Sequence, residues 1–444
     1  MTERGWAPKL FQALIDAFSI PDLRRRILFT IGILIIFRFI AHVPVPGVNP
    51  EALERLFRTS QLLGLLDIFS GGAMRYMSIA AMGVYPYITA SIIMQLLVPM
   101  IPRLQAIARE GEVGRQRINR YTHWLTVPIA VLQSYGMLIL FQREGVISNI
   151  GLSGKALLPT ISMTMTMTAG TVFLVWLGER ITEKGIGEGI SLIIFAGIVA
   201  GMPLNLIRAY QTLGVGGIIK LLILFIAIAF FIVYVTEAQR RIPVQFSRSV
   251  IRGGRMYRQS GGTYLPLRVN AAGMIPLIFA WSIMLLPGTI ASYTAGSGNE
   301  FIASLSRGIL NLFSANHPFY WILYFALVVG FTFFYTSIIY EHQNIPETLQ
   351  KQGAFIPGIR PGKKTQEFLN KTITRLTWGG AIFLGIVAIA PVFAGIITGT
   401  SPGQARNLMV MSSAGVLIVV GVALDTMRQI EAQLLIRRYE GFMR

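Results

Sequence analysis

Few side chains in this 444-residue chain are suited to acid–base or metal chemistry, and they lie far apart. Its four histidines, His42, His123, His317 and His342, share no metal-ligand spacing, so they read as histidines satisfied in the fold or at an interface. There is no cysteine, which removes disulfides and thiolate metal sites and leaves the redox compartment unread. The stretch Gly358-Ile359-Arg360-Pro361-Gly362-Lys363-Lys364-Thr365 has the look of a phosphate loop. Pro357, not glycine, stands five positions before Gly362, and no strand is expected ahead of it. Hydrolysis of ATP or GTP must therefore come from a partner; no catalytic residue, metal or cofactor is expected here.

Carboxylates are placed just as unhelpfully for ion chemistry. Glu188, Glu237, Glu341 and Asp425 fall at the ends of apolar segments, and none lies inside one. An ion-coupled transporter needs an intramembrane ionisable relay, and a selective ion channel needs a ring of carbonyls or charges. Neither pattern is present. What remains is an uncharged route. Val84 and Ile88 lie four apart on one helical face, and Ile190, Ile194 and Ile198 repeat that spacing, with Ile278 and Ile418 on later segments available to join them. A narrow ring of branched apolar side chains stops ions by dewetting yet yields to something larger. Isoleucines at this spacing equally serve lipid-facing or packed faces, and periodicity alone does not choose.

These residues must be held by membrane-spanning helices. With 53% hydrophobic and 13% charged residues, the chain lies outside the range of soluble domains. Ten apolar segments follow one another: 27–41, 78–99, 121–141, 156–177, 190–202 (stopped by Pro203), 218–235, 271–286, 319–340, 376–397 and 407–424. Arg38, near the far end of the first, is placed to snorkel to the interface. Ahead of that segment, Leu10, Phe11, Leu14, Ile15 and Phe18 recur at helical spacing, predicting a short surface helix rather than a cleaved leader. Between the first two segments, 62–69 is too short to span. It is followed by Ser70-Gly71-Gly72, where paired glycines free the backbone. Either a mobile element hinged to a path-lining helix or an ordinary re-entrant loop fits that stretch.

The net charge of +19 is explained by topology first. Of the 39 Lys and Arg residues, 29 fall on the side that carries both termini and 8 on the other, so both termini are expected in the cytoplasm. Ten crossings divide into two groups of five of opposite orientation, which points to inverted repeats with a path between them. The expected fold is therefore an all-α polytopic membrane protein, two inverted five-helix halves around a central pore. The expected divisions are 1–26 (N-terminal segment), 27–207 (first half), 208–427 (second half, with polar loops 237–269 and 341–375) and 428–444 (tail). A secondary transporter for a neutral solute is the competing reading; it demands a midplane pocket and saturable flux. A membrane-embedded enzyme needs a convergent polar constellation that the sequence does not contain.

Four blocks carry a family resemblance: FSGGAMRYMSIAAMGVYPYITASIIMQLL, GERITEKGIGEGISLIIFAGIVAGMP, GAFIPGIRPGKKT and LIVVGVALDTMRQIEAQLL. They closely resemble the bacterial SecY family, central subunits of the protein-conducting translocon, from about residue 10 to the C-terminus. The resemblance implies a plug at 62–75, including Leu65, Ile68, Phe69, Ser70, Gly71 and Gly72. It implies a pore ring of Val84, Ile88, Ile194, Ile198, Ile278 and Ile418, with Val84 departing from the usual isoleucine. Thr89, Ser91, Gln95 and Asn270 would supply polarity to a lateral gate between the second and seventh segments. Arg240, Arg241, Arg248 and Arg360 would dock the SecA motor ATPase or the ribosome, the only source of nucleic acid contact being ribosomal RNA. The further partners implied are SecE, SecG, signal sequences, nascent secretory or membrane proteins and the lipid of the bacterial cytoplasmic membrane.

Overall fold

The computed structural model describes residues 18, 20–59, 67, 70–108, 110–148, 150–151, 154–246, 249–252, 255–258, 262–294, 300–343, 345–401 and 413–442. Leu10, Phe11, Leu14 and Ile15 lie outside the described residues. Each of the ten apolar segments overlaps a helix over part or all of its described length, 78–84 and 271–274 lying outside the helices and 407–412 outside the described residues. The helices are α1 (Pro21–Ile40), α3 (Tyr85–Met100), α5 (Glu112–Arg143), α6 (Leu157–Lys184), both parts of α7 (Gly189–Glu237), α8 (Ile275–Thr294), α10 (Pro318–Gln343), α12 (Lys363–Ala388) with α13 (Ala390–Thr398), and α14 (Ser413–Phe442). Three shorter helices, α2 (Pro50–Thr59), α4 (Pro102–Ala108) and α9 (Glu300–Leu312), sit between them, and α11 (Ile345–Lys351) follows α10. Five helices among the described residues are long and apolar enough to cross a membrane, or seven if each sharply bent pair is one span. The bent pairs are α3 with α4, at 103°, and α12 with α13, at 42°.

Two expectations are corrected. Pro203 does not stop its segment: α7 runs through it and bends instead at Gly214, whose φ of 64° and ψ of −172° are open only to glycine. A proline inside an apolar helix frees a single backbone carbonyl, which neighbouring groups re-satisfy, whereas an extended backbone at positive φ cannot continue the helix. Nor is the chain wholly α. The basic loop after α7 folds into β1 (Gln239–Phe246), β2 (Ser249–Arg252), β3 (Arg255–Arg258) and β4 (Gly262–Arg268), and β5 (Ala354–Phe355) follows α11.

The chain forms two compact units. The first comprises residues 1–218, 287–311 and 406–444; the second comprises 219–286 and 312–405. In the first, Leu23 of α1, Ile186 and Ile430 of α14 share a small core, and Ile186 N–H donates to Thr30 Oγ1 at 3.2 Å. In the second, β1 lies between β4 and β5 in one antiparallel sheet, pairing Ile242 with Leu265 and Gln245 with Phe355. Its strands alternate: Ile242, Val244 and Leu267 are buried while Arg241, Pro243, Gln245 and Pro266 are exposed, the period of two expected of a half-buried sheet. Leu349, Ala354, Ile356 and Leu369 complete that core, so the two polar loops 237–269 and 341–375 are joined in one module.

Candidate functional site

Around Ser70 the backbone turns back on itself, held from both sides. Gly71 and Gly72 adopt φ of 69° and 82°, the left-handed region that side chains rarely enter. Ser70 Oγ donates to Asp67 O at 3.0 Å and accepts the Met74 N–H at 3.0 Å; Gly72 N–H also donates to Asp67 O, at 2.9 Å. The buried Asp67 carboxylate spends one oxygen on the Arg75 backbone N–H at 3.0 Å and the other on the Arg75 guanidinium at 3.0 Å. Past this latch the chain is pinned again. Met77 sits at φ 46°, the one positive-φ non-glycine among the described residues, with its carbonyl accepting the Val45 N–H and its own N–H bound to Met74 O. Ile79 N–H donates to Val43 O at 3.0 Å, closing a bridge between 43–45 and 77–79. Tyr76 lies 4.8 Å from the His42 ring, and His42 Nδ1 lies 2.7 Å from Arg38 O.

Gly71 itself is wedged. A Cβ there would lie 2.7 Å from Phe37 Cζ and 2.9 Å from Gly197 Cα, so α1 and α7 close on the turn where only glycine fits. Arg38 does not snorkel; its Nη1 donates to Gly71 O at 2.7 Å, satisfying a carbonyl inside the fold. Gly197 immediately precedes Ile198 on α7, so the turn rests on the same helical turn that carries two of the ring candidates. Leu65, Ile68 and Phe69 lie outside the described residues.

The ring candidates of this unit, Val84, Ile88, Ile194, Ile198 and Ile418, are all buried. Ile88 N–H donates to Val84 O at 3.1 Å, which stacks the two side chains one helical turn apart. Ile190, by contrast, is only half-buried and packs over Gly178 of α6. Ile278, in the second unit, is half-buried in the first turn of α8. Of the gate candidates, Thr89 donates to Tyr85 O at 3.1 Å and Gln95 Nε2 donates to Ser91 Oγ at 3.2 Å. Gln95 Oε1 and, in the other unit, Asn270 Oδ1 are buried with no hydrogen-bond partner among the described residues. Arg240, Arg241 and Arg360 are exposed on the joined-loop module; Arg248 lies outside the described residues.

Sequence reasoning missed Asp67, Arg75 and Gly197. It also missed that His123 Nε2 lies 3.1 Å from Glu179 Oε1, with Asn119 donating to the same oxygen at 3.5 Å and Tyr87 lying edge-on to the His123 ring. Breaking the Asp67–Arg75 pair from one side should cost about 2–3 kcal/mol, discounted because Arg75 keeps a quarter of its side chain exposed. Asp67→Ala and Arg75→Ala are each expected to speed proteolytic nicking of 60–76 in purified protein about tenfold or more. The exchange Asp67→Arg with Arg75→Asp should recover part of that protection, and no recovery would mean the charges do not hold the turn.

Two solved structures align over 97% of this chain and 97% of their own. A protein-conducting channel gives a TM-score of 0.60 at 17% identity, and Sec61 from a canine ribosome–channel complex gives 0.57 at 18%. The bent helices, wedged turn and buried isoleucines thus belong to a polytopic helical membrane protein with the protein-conducting-channel fold. The SecY family model matches residues 78–427. The protein translocase subunits SecY of Streptomyces griseus and Halalkalibacterium halodurans are each 42% identical over 98% of this chain and 100% of their own length. The Aquifex aeolicus subunit is 41% identical over 96% of this chain and 98% of its own. The chain belongs to the SecY family.

Proposed function

We propose that the chain is the central subunit of a protein-conducting channel, passing unfolded secretory polypeptides across the bacterial cytoplasmic membrane and releasing apolar segments sideways into lipid. It is a channel subunit and not an enzyme. The observation that carries the reading is the burial of Val84, Ile88, Ile194, Ile198 and Ile418 in one unit, with the Gly71 turn seated on the helix of two of them. With Ile278 they form the dry constriction, and 62–75 is its plug, hinged at Gly71-Gly72. Ten crossings in two inverted halves place both termini in the cytoplasm, as the 29 to 8 division of basic residues supports. A signal sequence enters between the second and seventh spans, where Thr89, Ser91, Gln95 and Asn270 give the seam its polarity. Sorting follows partition: a charged residue costs about 2.5–3.5 kcal/mol at mid-membrane while Leu or Ile gains a few tenths.

Crosslinking a stalled secretory chain to probes at Ile88, Ile194 and Ile278 tests the route. Adducts at all three positions are expected; adducts only at lipid-facing positions would remove the route. Saturable flux of a small solute through the purified protein would instead favour a transporter.

SecE, SecG, the SecA motor and the ribosome are the proposed partners. The exposed arginines of the β1–β4–β5 module are suited to them because guanidinium pairs bidentately with phosphate or carboxylate. Reversing Arg241 and Arg360 to Glu together should weaken SecA or ribosome binding at least tenfold, with a shallower salt dependence, read by co-sedimentation. Leu267→Ser, which opens the module's core without touching an arginine, should weaken it too if the sheet presents those charges.

A further inference from the structure

α9, between α8 and α10, presents three flanks rather than two. Glu300, Ser304, Arg307 and Asn311 form an exposed polar stripe. Ser306 is buried, with Ala303, Ile309 and Leu310 half-buried beside it. Phe301 and Leu305, four apart, form a third flank that stays 76% and 56% exposed, with Ile302 at its edge. At 100° per residue the polar and exposed apolar stripes point about 110° apart, and the buried stripe completes the circle. A helix in water has no reason to separate an exposed apolar flank from its polar one, and a helix inside a protein core would not keep the polar one.

α9 is clasped to the end of α8. Thr294 Oγ1 and Ser306 Oγ are 2.7 Å apart, and Ser306 also donates to Ile302 O. One turn before Thr294, on the same face of α8, Ile290 is 59% exposed. Ile290 and the Phe301–Leu305 flank are thus exposed apolar surface on two segments that the Thr294–Ser306 contact holds together. A charged and polar exposed stripe, an uncharged exposed apolar stripe beside it and a clasp to the end of an apolar helix together fit a helix lying at a lipid interface.

We infer that α9 is a membrane-interface helix: Phe301 and Leu305 insert at the boundary between headgroups and acyl chains, and Glu300, Ser304, Arg307 and Asn311 stay in water. The occupant of the apolar flank is lipid, and α9 holds the end of α8 at the membrane surface. This rests on the chain being membrane-embedded, not on what it transports.

The absence of cysteine makes the test direct, since any introduced thiol is unique. Leu305→Cys, Phe301→Cys, Ser304→Cys and Arg307→Cys, each labelled with a nitrobenzoxadiazole dye, would be reconstituted as the full chain in phosphatidylethanolamine–phosphatidylglycerol vesicles. Dyes at 301 and 305 should emit further to the blue and be quenched at least threefold more by lipid carrying a nitroxide near the top of its acyl chain than dyes at 304 and 307. Iodide should show the opposite order. Equal iodide quenching at 305 and 307 would overturn the proposal. So would shielding at 305 that persists in detergent with accessory subunits bound, or that grows with protein-to-lipid ratio, because each makes protein the occupant. Translocation is not read, so failure here is distinct from failure of the channel reading.

Discussion

Ile194→Asn and Ile418→Asn are expected to open the channel to signal sequences too weak to open the parent. Each side chain is buried, and burial of an isoleucine contributes about 1.5–3 kcal/mol to whichever state keeps it dry. An amide in the same place adds a desolvation cost of about 1–3 kcal/mol unless water follows it in. The closed state bears both costs and the hydrated open state neither. A change of about 3 kcal/mol corresponds to roughly a hundredfold shift between the two. The measurement is translocation of a precursor with a charge inserted into its signal core, together with ion conductance of the idle channel. Both should rise. Ile190→Asn is the internal comparison: Ile190 packs over Gly178 of α6, so it should lower stability without admitting defective signals. If all three behaved alike, burial would be structural only and the constriction would lie elsewhere.

Gly71→Ala should unseat the turn by two separable effects. Its φ of 69° strains any side chain, about 1–3 kcal/mol, and its Cβ would meet Phe37 and Gly197, which overpacking studies put at about a further 1–3 kcal/mol. Neighbouring glycines dissect the sum. At Gly72, φ is 82° but nothing lies within 4 Å of an added Cβ, so Gly72→Ala carries the backbone strain alone. Gly197→Ala carries the collision alone, because its backbone is helical and its Cβ would strike Gly71. The expected order of idle-channel leak is Gly71→Ala above Gly197→Ala and Gly72→Ala, both above the parent. A Gly197→Ala channel as tight as the parent would show that α7 is not the seat of the turn.

What the sequence made legible follows from what leaves a periodic trace. The helices are marked by apolar length, and Gly71-Gly72 by residue type, because side chains rarely enter the φ region both occupy. The Asp67–Arg75 latch left no trace: eight residues apart across a glycine turn, its partners obey neither a helical nor a strand period. His123 and Glu179 meet only because α5 and α6 pack together. In the loop after α7 the alternation of Ile242 and Val244 is present, but Pro243 stands between them and Arg240 and Arg241 precede them, so the run is too short and too interrupted to mark a strand. β5 is two residues long, too short to signal anything by itself. Pro203 marks a helix end by the rule that holds in water, whereas in an apolar helix neighbouring groups re-satisfy the carbonyl it frees and the helix continues.

The sheet that joins β1 to β5 sets an order of events during synthesis. Strand β1 ends at Phe246, but its second neighbour and most of the core beneath it, from Leu349 to Leu369, are made on the order of a hundred residues later. At about 5–20 residues per second, the arginine-bearing hairpin waits on the order of 5–20 s before it has a floor to rest on. The sheet is thus complete only after α8 and α10 have been made, and Arg240 and Arg241 are synthesised well before the core that fixes the strand bearing them.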